Sequence, residues 1–94
     1  MQTTQESAEL VAALALEWIS SQKDLLEVFL GSTGLDLETL IARASEAEIL
    51  VGVLDFIMLN EEWVVGFCNA ASLPYSRVQE ARAALPGGEQ VHWT

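Results

Sequence analysis

The sequence predicts an all-α fold, a compact bundle of five to six short helices in a single domain. The chain has 94 residues, and 51% of them are hydrophobic, which is enough for one modest core. Apolar residues recur at intervals of three and four, the spacing of one face of an α-helix, and no alternation at period two is sustained. The two prolines, Pro74 and Pro86, both lie late in the chain.

The first helix is predicted over about residues 7–20, because apolar residues return on one side of that stretch. The predicted inward stripe consists of Leu10, Val11, Leu14, Ala15 and Trp18. A second helix is predicted to begin at Ser21, whose hydroxyl can accept a hydrogen bond from the amide of Asp24. It should end at the segment GSTGL, where Gly31 or Gly34 can take the left-handed conformation. Its inward residues are predicted to be Leu25, Leu26 and Phe29.

The third and fourth helices have recognisable starts. Asp36 is suited to cap a third helix. The side of this helix that faces inward is predicted to carry Leu37, Leu40 and Ile41. Ser45 followed by Glu48 forms a capping-box pattern directly before an apolar run. Because the run over residues 49–58 is apolar almost all round, we expect the fourth helix in the middle of the bundle, wrapped by its neighbours.

The last two helices follow short polar breaks. Asn60 is predicted to start a fifth helix, and Pro74 suits the first turn of a sixth, where its missing amide hydrogen is not needed. The predicted inward residues are Trp63, Val64 and Phe67 on the fifth helix and Val78, Ala81 and Leu85 on the sixth. We predict one domain over residues 1–94, with an ordered core over about residues 7–86 and a tail over 87–94.

The chain also aligns with itself at a shift of 38 residues. Leu16 then falls on Leu54, Phe29 falls on Phe67, and the helix starts and loop breaks coincide. We interpret this as a duplicated three-helix unit whose two copies share one core. The alternative is that any two sets of amphipathic helices of similar length align in this way.

Charge and composition restrict the classes of partner. Fourteen acidic and four basic residues leave a formal net charge of -10, which repels phosphate and anionic lipid. We therefore expect neither nucleic acid nor a membrane as a partner. The beginning of the chain lacks the basic region and apolar run of an export signal, and the longest uncharged stretch, residues 63–76, is too short to span a bilayer. A soluble, cytoplasmic location is expected.

Three segments of the chain resemble a known family over roughly residues 10–88. The segments are LEVFLGSTGLDLETLIARA, VLDFIMLNEEWVVGF and ARAALPGG. They are similar to the bacterial family catalogued as domain of unknown function 3572, most specifically at F-L-x-x-T-G-L (29–35) and V-L-D-F (53–56). Leu37 stands where a proline is expected in many relatives. The resemblance implies a small, cytoplasmic, all-helical protein and implies no activity.

Asp55 is the first candidate functional residue, because it is a carboxylate inside the most apolar part of the chain. Its own helix offers no cation three or four positions away, so it either faces solvent or takes a partner from another helix. The candidate partners are Arg43, Arg77 and Arg82. Glu17 occupies the equivalent position in the first copy of the repeat, which favours a common solvent-facing edge. A functional alternative is an acid with a raised pKa in a cleft.

The remaining candidates have simpler explanations. Acidic residues at the proposed helix starts suit the helix dipole there. His92 is the only histidine and lies in the predicted tail, so no metal site or cofactor is predicted. Cys68, the only cysteine, excludes an intrachain disulfide and suits the core. Trp93, also in the tail, could pack on the bundle or contact a partner.

The sequence favours a non-catalytic protein-interaction or regulatory module over an enzyme, because no convergent set of catalytic groups is visible. The acidic surface would suit a basic protein partner, or it could keep a very apolar chain in solution. The alternative function is a small-molecule binding domain with a pocket between the two halves and Asp55 or Glu17 at its rim. A monomer or a weak homodimer is expected, since short helices can leave apolar area uncovered.

Overall fold

A computed structural model describes residues 4–85, and within this range the chain forms six α-helices. The helices are α1 (Gln5–Ser20), α2 (Lys23–Thr33), α3 (Leu37–Ala42), α4 (Ala47–Ile57), α5 (Glu61–Ala71) and α6 (Ser76–Ala84). The radius of gyration is 12.7 Å, close to the value of about 12 Å expected for a compact chain of this length. The predicted all-α bundle is therefore confirmed. The predicted tail lies outside the described residues.

Several helix ends are set by local hydrogen bonds. Thr4 caps α1 by accepting a hydrogen bond from the amide of Ser7 at 3.0 Å. Asp36 caps α3, where Oδ1 accepts from the amide of Thr39 at 2.7 Å, as predicted. The side chain of Asn60 caps α5 in the same way, also as predicted. Each cap satisfies an amide that has no partner within its own helix.

Three predicted helix starts are wrong. Ser21 ends α1 instead of starting α2, because its hydroxyl donates to the carbonyl of Trp18 at 2.7 Å. The capping box at Ser45 does not form: Glu46 is the residue before α4, and no side chain caps that helix. Pro74 lies two residues before the first residue of α6.

The core draws buried hydrophobic side chains from all six helices. They are Ala8, Val11, Ala12, Ala15, Ile19, Leu25, Phe29, Leu40, Ile49, Leu50, Val53, Leu54, Phe56, Ile57, Phe67, Cys68, Val78, Ala81 and, just after α6, Leu85. Helix α1 packs against α2, α4, α5 and α6, and helix α4 packs against α1, α5 and α6. The expected central position of α4 is therefore shared with α1. None of the helices within residues 4–85 combines the length and the hydropathy that a membrane span requires.

Two predicted apolar faces are confirmed only in part. On α1 the predicted Val11 and Ala15 are buried, but Leu10 is exposed, and the buried stripe also includes Ala8, Ala12 and Ile19. Small alanine side chains allow neighbouring helices to approach closely, so the larger Leu14 and Trp18 lie at the edge of the core. On α3 only Leu40 is buried, because α3 makes no extensive packing against another helix. The exposed members of its predicted stripe are Leu37 and Ile41, and Met58 at the end of α4 is exposed as well.

The arrangement is consistent with the predicted repeat. At the shift of 38 residues, the first and last residues of α2 fall on those of α5. Gly34 and Ser72, at equivalent positions after these helices, both have left-handed backbones, with φ of 77° and 59°. The third helices differ, since α6 packs against α1, α4 and α5 and α3 does not pack comparably. The duplication stays a prediction.

Two aromatic contacts between the halves also have equivalent positions. The ring centroids of Trp18 and Phe67 are 6.1 Å apart, and those of Phe56 and Phe29 are 5.1 Å apart. A shift of 38 converts the first pair into the second, with the halves exchanged. The second helix of each half therefore meets the first helix of the other half, and two surface clefts lie along these lines of contact.

Candidate functional site

The candidate Asp55 is both exposed and paired. Its side chain is 54% exposed, and Oδ1 accepts a hydrogen bond of 2.6 Å from Nε of Arg82 on α6. The side chain of Arg82 is only 19% exposed, and its Nη1 is buried without a hydrogen-bond partner among the described residues. Asp55 therefore covers one side of a largely buried guanidinium, and of the three candidate arginines Arg82 is its partner.

The other two arginines are held elsewhere. Arg77 donates from Nη2 to the hydroxyl of Ser7 at 2.7 Å, which joins α6 to the first turn of α1. Arg43 donates to Glu46 at 2.8 Å and to Glu48 at 3.1 Å. The hydrogen bond and charge of Glu46 raise the pKa of Arg43, so this guanidinium stays fully charged between its two carboxylates.

Glu17 is exposed on α1, as expected from its equivalence to Asp55. It lies at the edge of a cleft of about 330 Å³ between α1 and α5, which we name the α1–α5 cleft. The residues that line this cleft are Leu14, Glu17, Trp18, Ser21, Phe67, Ala70 and Ala71. Asp55 lies outside it. The third candidate, Trp93, is outside the described residues, as is His92.

A second cleft of about 370 Å³ lies between α2 and α4. This α2–α4 cleft is lined by Phe29, Thr33, Leu35, Arg43, Glu48, Ile49 and Gly52. Phe29 occupies the position equivalent to Phe67 in the α1–α5 cleft, and Gly52 the position equivalent to Leu14. The two clefts are thus formed by equivalent helices of the two halves, and they differ in side-chain size and in charge.

A third depression is more apolar and lies between α5 and α6, next to the end of α4. This α5–α6 groove has a volume of about 280 Å³ and is lined by Met58, Glu61, Val64, Val65, Tyr75, Val78 and Gln79. Met58 is 42% exposed and Tyr75 is 53% exposed. Sequence reasoning missed this groove, because it assigned Met58 to the core and did not consider Tyr75. The signal available was the apolar pair Met58–Leu59 directly before the cap at Asn60.

Two further groups have pKa values that are shifted by their surroundings. The backbone amide of Thr39, with a smaller contribution from its side chain, lowers the pKa of the Asp36 carboxyl by donating to it. Burial raises the pKa of the Cys68 thiol, which lies in the core as predicted. Within residues 4–85, the His, Cys, Asp and Glu side chains nowhere form a group of three or more that could hold a metal ion.

Comparison with known protein families gives a match over nearly the whole chain. The model of a family described as "Protein of unknown function (DUF3572)" matches residues 5–88. This range includes all six helices. No curated protein and no solved structure matches the chain.

Proposed function

The chain belongs to the DUF3572 family of proteins of unknown function, and we propose that it is a cytoplasmic, non-catalytic interaction module. In this proposal the α5–α6 groove binds an amphipathic helix of a partner protein, and basic residues of that helix meet the acidic edge of the groove. The observation that carries the proposal is the joint exposure of Met58 and Tyr75 on the two sides of one apolar depression.

The shape of the groove supports a helical partner. Its lining residues recur at helical spacing on both walls: Glu61, Val64 and Val65 lie on α5, and Val78 and Gln79 lie on α6, with Tyr75 directly before that helix. A groove between two helices is a common docking site for the apolar face of a third helix. Isolated exposed hydrophobic residues are ordinary, whereas adjacent ones around a groove are typical of interaction surfaces.

The side chains themselves suit a contact surface. Met58 is unbranched and flexible, so it can adapt to the shape of a partner. Tyr75 presents a ring together with a hydroxyl that donates to Oδ1 of Asn69 at 3.1 Å, which holds the ring in place in the absence of a partner. Tyrosine and methionine are enriched in interface cores.

Charge favours a basic partner. Glu61 lines the groove and Glu62 follows it in the first turn of α5. The salt bridges within residues 4–85 are made by Arg43 and Arg82, so neither glutamate is neutralised by one of them. A partner with lysine or arginine beside its apolar face would associate faster and more selectively in the field of a chain of net charge -10.

Photo-crosslinking tests this proposal. A benzophenone amino acid is placed at position 65, in the groove, and in a matched variant at exposed Ala13 on α1. We expect a specific protein to be crosslinked from position 65 only. The captured protein is then purified, and its affinity for the chain is measured at low and at high salt. The expected affinity falls with salt and is lost in Val65→Glu.

Two results would contradict the proposal. One is equal crosslinking from both positions, which would mean that the groove is not selected. The other is unchanged affinity in both Val65→Glu and Tyr75→Ala while circular dichroism shows native helix content. Tyr75→Ala removes an exposed side chain and so tests the groove with little effect on the core.

A further inference from the structure

The α2–α4 cleft has an apolar floor and a charged mouth. Phe29 and Ile49 are buried and form part of its lining, and Leu35 is half-buried beside them. Arg43 and Glu48 are the charged members of the lining. The volume of about 370 Å³ lies near the lower end of the range of roughly 300–1,000 Å³ that is typical of small-molecule sites. A ligand of this cleft would therefore be small, with an apolar body and one polar group.

The open space in this cleft depends on Gly52. A Cβ atom at this position would have no atom within 4 Å, so the space above the glycine is free. In the α1–α5 cleft the equivalent position is Leu14, whose side chain lines the cleft. A leucine at position 52 would place four additional carbon atoms in the α2–α4 cleft. The first half of the chain therefore carries, at the equivalent position, a side chain that would narrow the α2–α4 cleft.

The charged side chains around the cleft determine whether a cationic or an anionic ligand is favoured. The two charged lining residues, Arg43 and Glu48, balance each other, and Glu46, which bonds Arg43 but does not line the cleft, gives the three side chains together one net negative charge. Glu46 bonds Nε of Arg43 at 2.8 Å, and Glu48 bonds Nη2 at 3.1 Å. The Glu48 side chain is 85% exposed, so its carboxylate can turn from Arg43 to a ligand with the loss of one exposed ion pair, while Arg43 keeps its bond to Glu46.

We propose that the α2–α4 cleft is a binding site for a small organic cation, an alkylammonium group with a short apolar chain. The chain lies on Phe29 and Ile49 in the space above Gly52, and the ammonium group donates to Glu48. An anionic ligand of the same size is disfavoured by the net negative charge of the cluster of Arg43, Glu46 and Glu48 and by the charge of -10 on the whole chain. This site is separate from the α5–α6 groove and adds a function to the one proposed above.

Three matched probes test which charge of the ligand the cleft prefers. Hexylamine, hexan-1-ol and hexanoate have the same apolar chain and differ in charge at neutral pH. Each is titrated into the isotopically labelled protein, and the shifts of the backbone amide signals are followed by NMR. We expect shifts at residues that line the cleft, with hexylamine binding about fivefold more tightly than hexan-1-ol and hexanoate binding most weakly.

Substitutions test the position of the ligand. Gly52→Leu is expected to weaken hexylamine binding about tenfold or more, because it occupies the space of the apolar chain. Gly52→Ala adds one carbon and serves as the structural control. Glu48→Gln should reduce the affinity for hexylamine to that for hexan-1-ol. Ala70→Leu places a larger side chain in the lining of the α1–α5 cleft and should leave the affinity for hexylamine unchanged.

Several outcomes would overturn the proposal. One is the absence of amide shifts with hexylamine, and another is binding of hexanoate as tightly as hexylamine. A third is hexylamine binding that is weakened by Ala70→Leu and unchanged by Gly52→Leu. If Gly52→Leu does not fold, the comparison of Glu48→Gln with the original chain still decides whether the ammonium group meets this carboxylate. A Glu48→Gln variant with unchanged preference for hexylamine over hexan-1-ol would remove the basis of the site.

Discussion

Substitution of Gly66 on α5 by alanine tests how closely α1 and α5 pack. A Cβ atom at this position would lie 3.0 Å from Cζ2 and 3.4 Å from Cη2 of the Trp18 ring. Two other helical glycines, Gly31 on α2 and Gly52 on α4, would place a Cβ atom with nothing within 4 Å. The three glycines therefore form a matched series for substitution by alanine. Only one of them is in contact with a large side chain of another helix.

The expected magnitudes follow from two opposing effects. Replacing glycine by alanine inside a helix stabilises the folded state by about 1 kcal/mol, because alanine loses less conformational entropy. We expect Gly31→Ala and Gly52→Ala to show most of this gain. At Gly66 the new methyl group is too close to the indole ring, and forcing a side chain into packed surroundings costs about 1–3 kcal/mol. Gly66→Ala should therefore be less stable than the two controls by about that amount.

The assay is urea unfolding followed by circular dichroism, with the slope of the transition compared among the variants. A stabilisation in Gly66→Ala equal to that of the controls would refute the reasoning, because the indole ring would then move aside at no cost. A double-mutant cycle locates the effect. In a Trp18→Leu background the penalty at Gly66 should disappear, whereas a penalty that persists would have another origin.

Three further predictions concern single side chains. Asp55→Asn should lower the free energy of unfolding by no more than about 1 kcal/mol in urea, because an exposed carboxylate on Arg82 contributes little, and a loss of several kcal/mol would contradict this. Asp36 binds the amide of Thr39 as a carboxylate, so its folded-state pKa lies below the ordinary 3.8. Melting curves over a pH series measure the stability that Asp36 contributes relative to Asp36→Asn. This contribution should be complete at pH values above 3.8 and should disappear as the pH falls through the folded-state pKa. Burial raises the pKa of the Cys68 thiol above its ordinary 9.0, so the thiol should react with iodoacetamide only in denaturant. Because the unfolded chain loses this proton more readily, stability should fall as the pH rises above 9.0, and it should fall more in the original chain than in Cys68→Ala.

The helices themselves could be predicted because their signals are local. The cap at Asp36 and the helix start at Asn60 are predictable, since a cap joins groups only two or three residues apart. Gly34 was one of two candidates for the left-handed turn after α2, and the structure has it there. Ser21 was misassigned because its hydroxyl had two partners within reach, a following amide and a preceding carbonyl. Local patterns cannot rank two such partners.

The buried faces were predicted less well where a helix carries more apolar residues than its neighbours can cover. Leu10 and Ile41 belong to good apolar stripes, yet both are exposed. On α1 the close approach of α4 and α6 selects the alanine side of the helix, and on α3 no neighbour covers more than Leu40. On α6, which has few apolar residues to choose from, the predicted inward residues are the buried ones.

The sequence by itself determined the helical fold, some of the helix ends, the net charge and the absence of an intrachain disulfide, because these depend on residues close in the chain or on composition alone. It also supplied three candidate partners for Asp55. Only the tertiary structure decided that the partner is Arg82, 27 residues away, and that two clefts and one groove lie where helices meet. Such features arise between segments distant in the chain, and the packing of whole helices, which no local pattern encodes, sets their distances and their exposure.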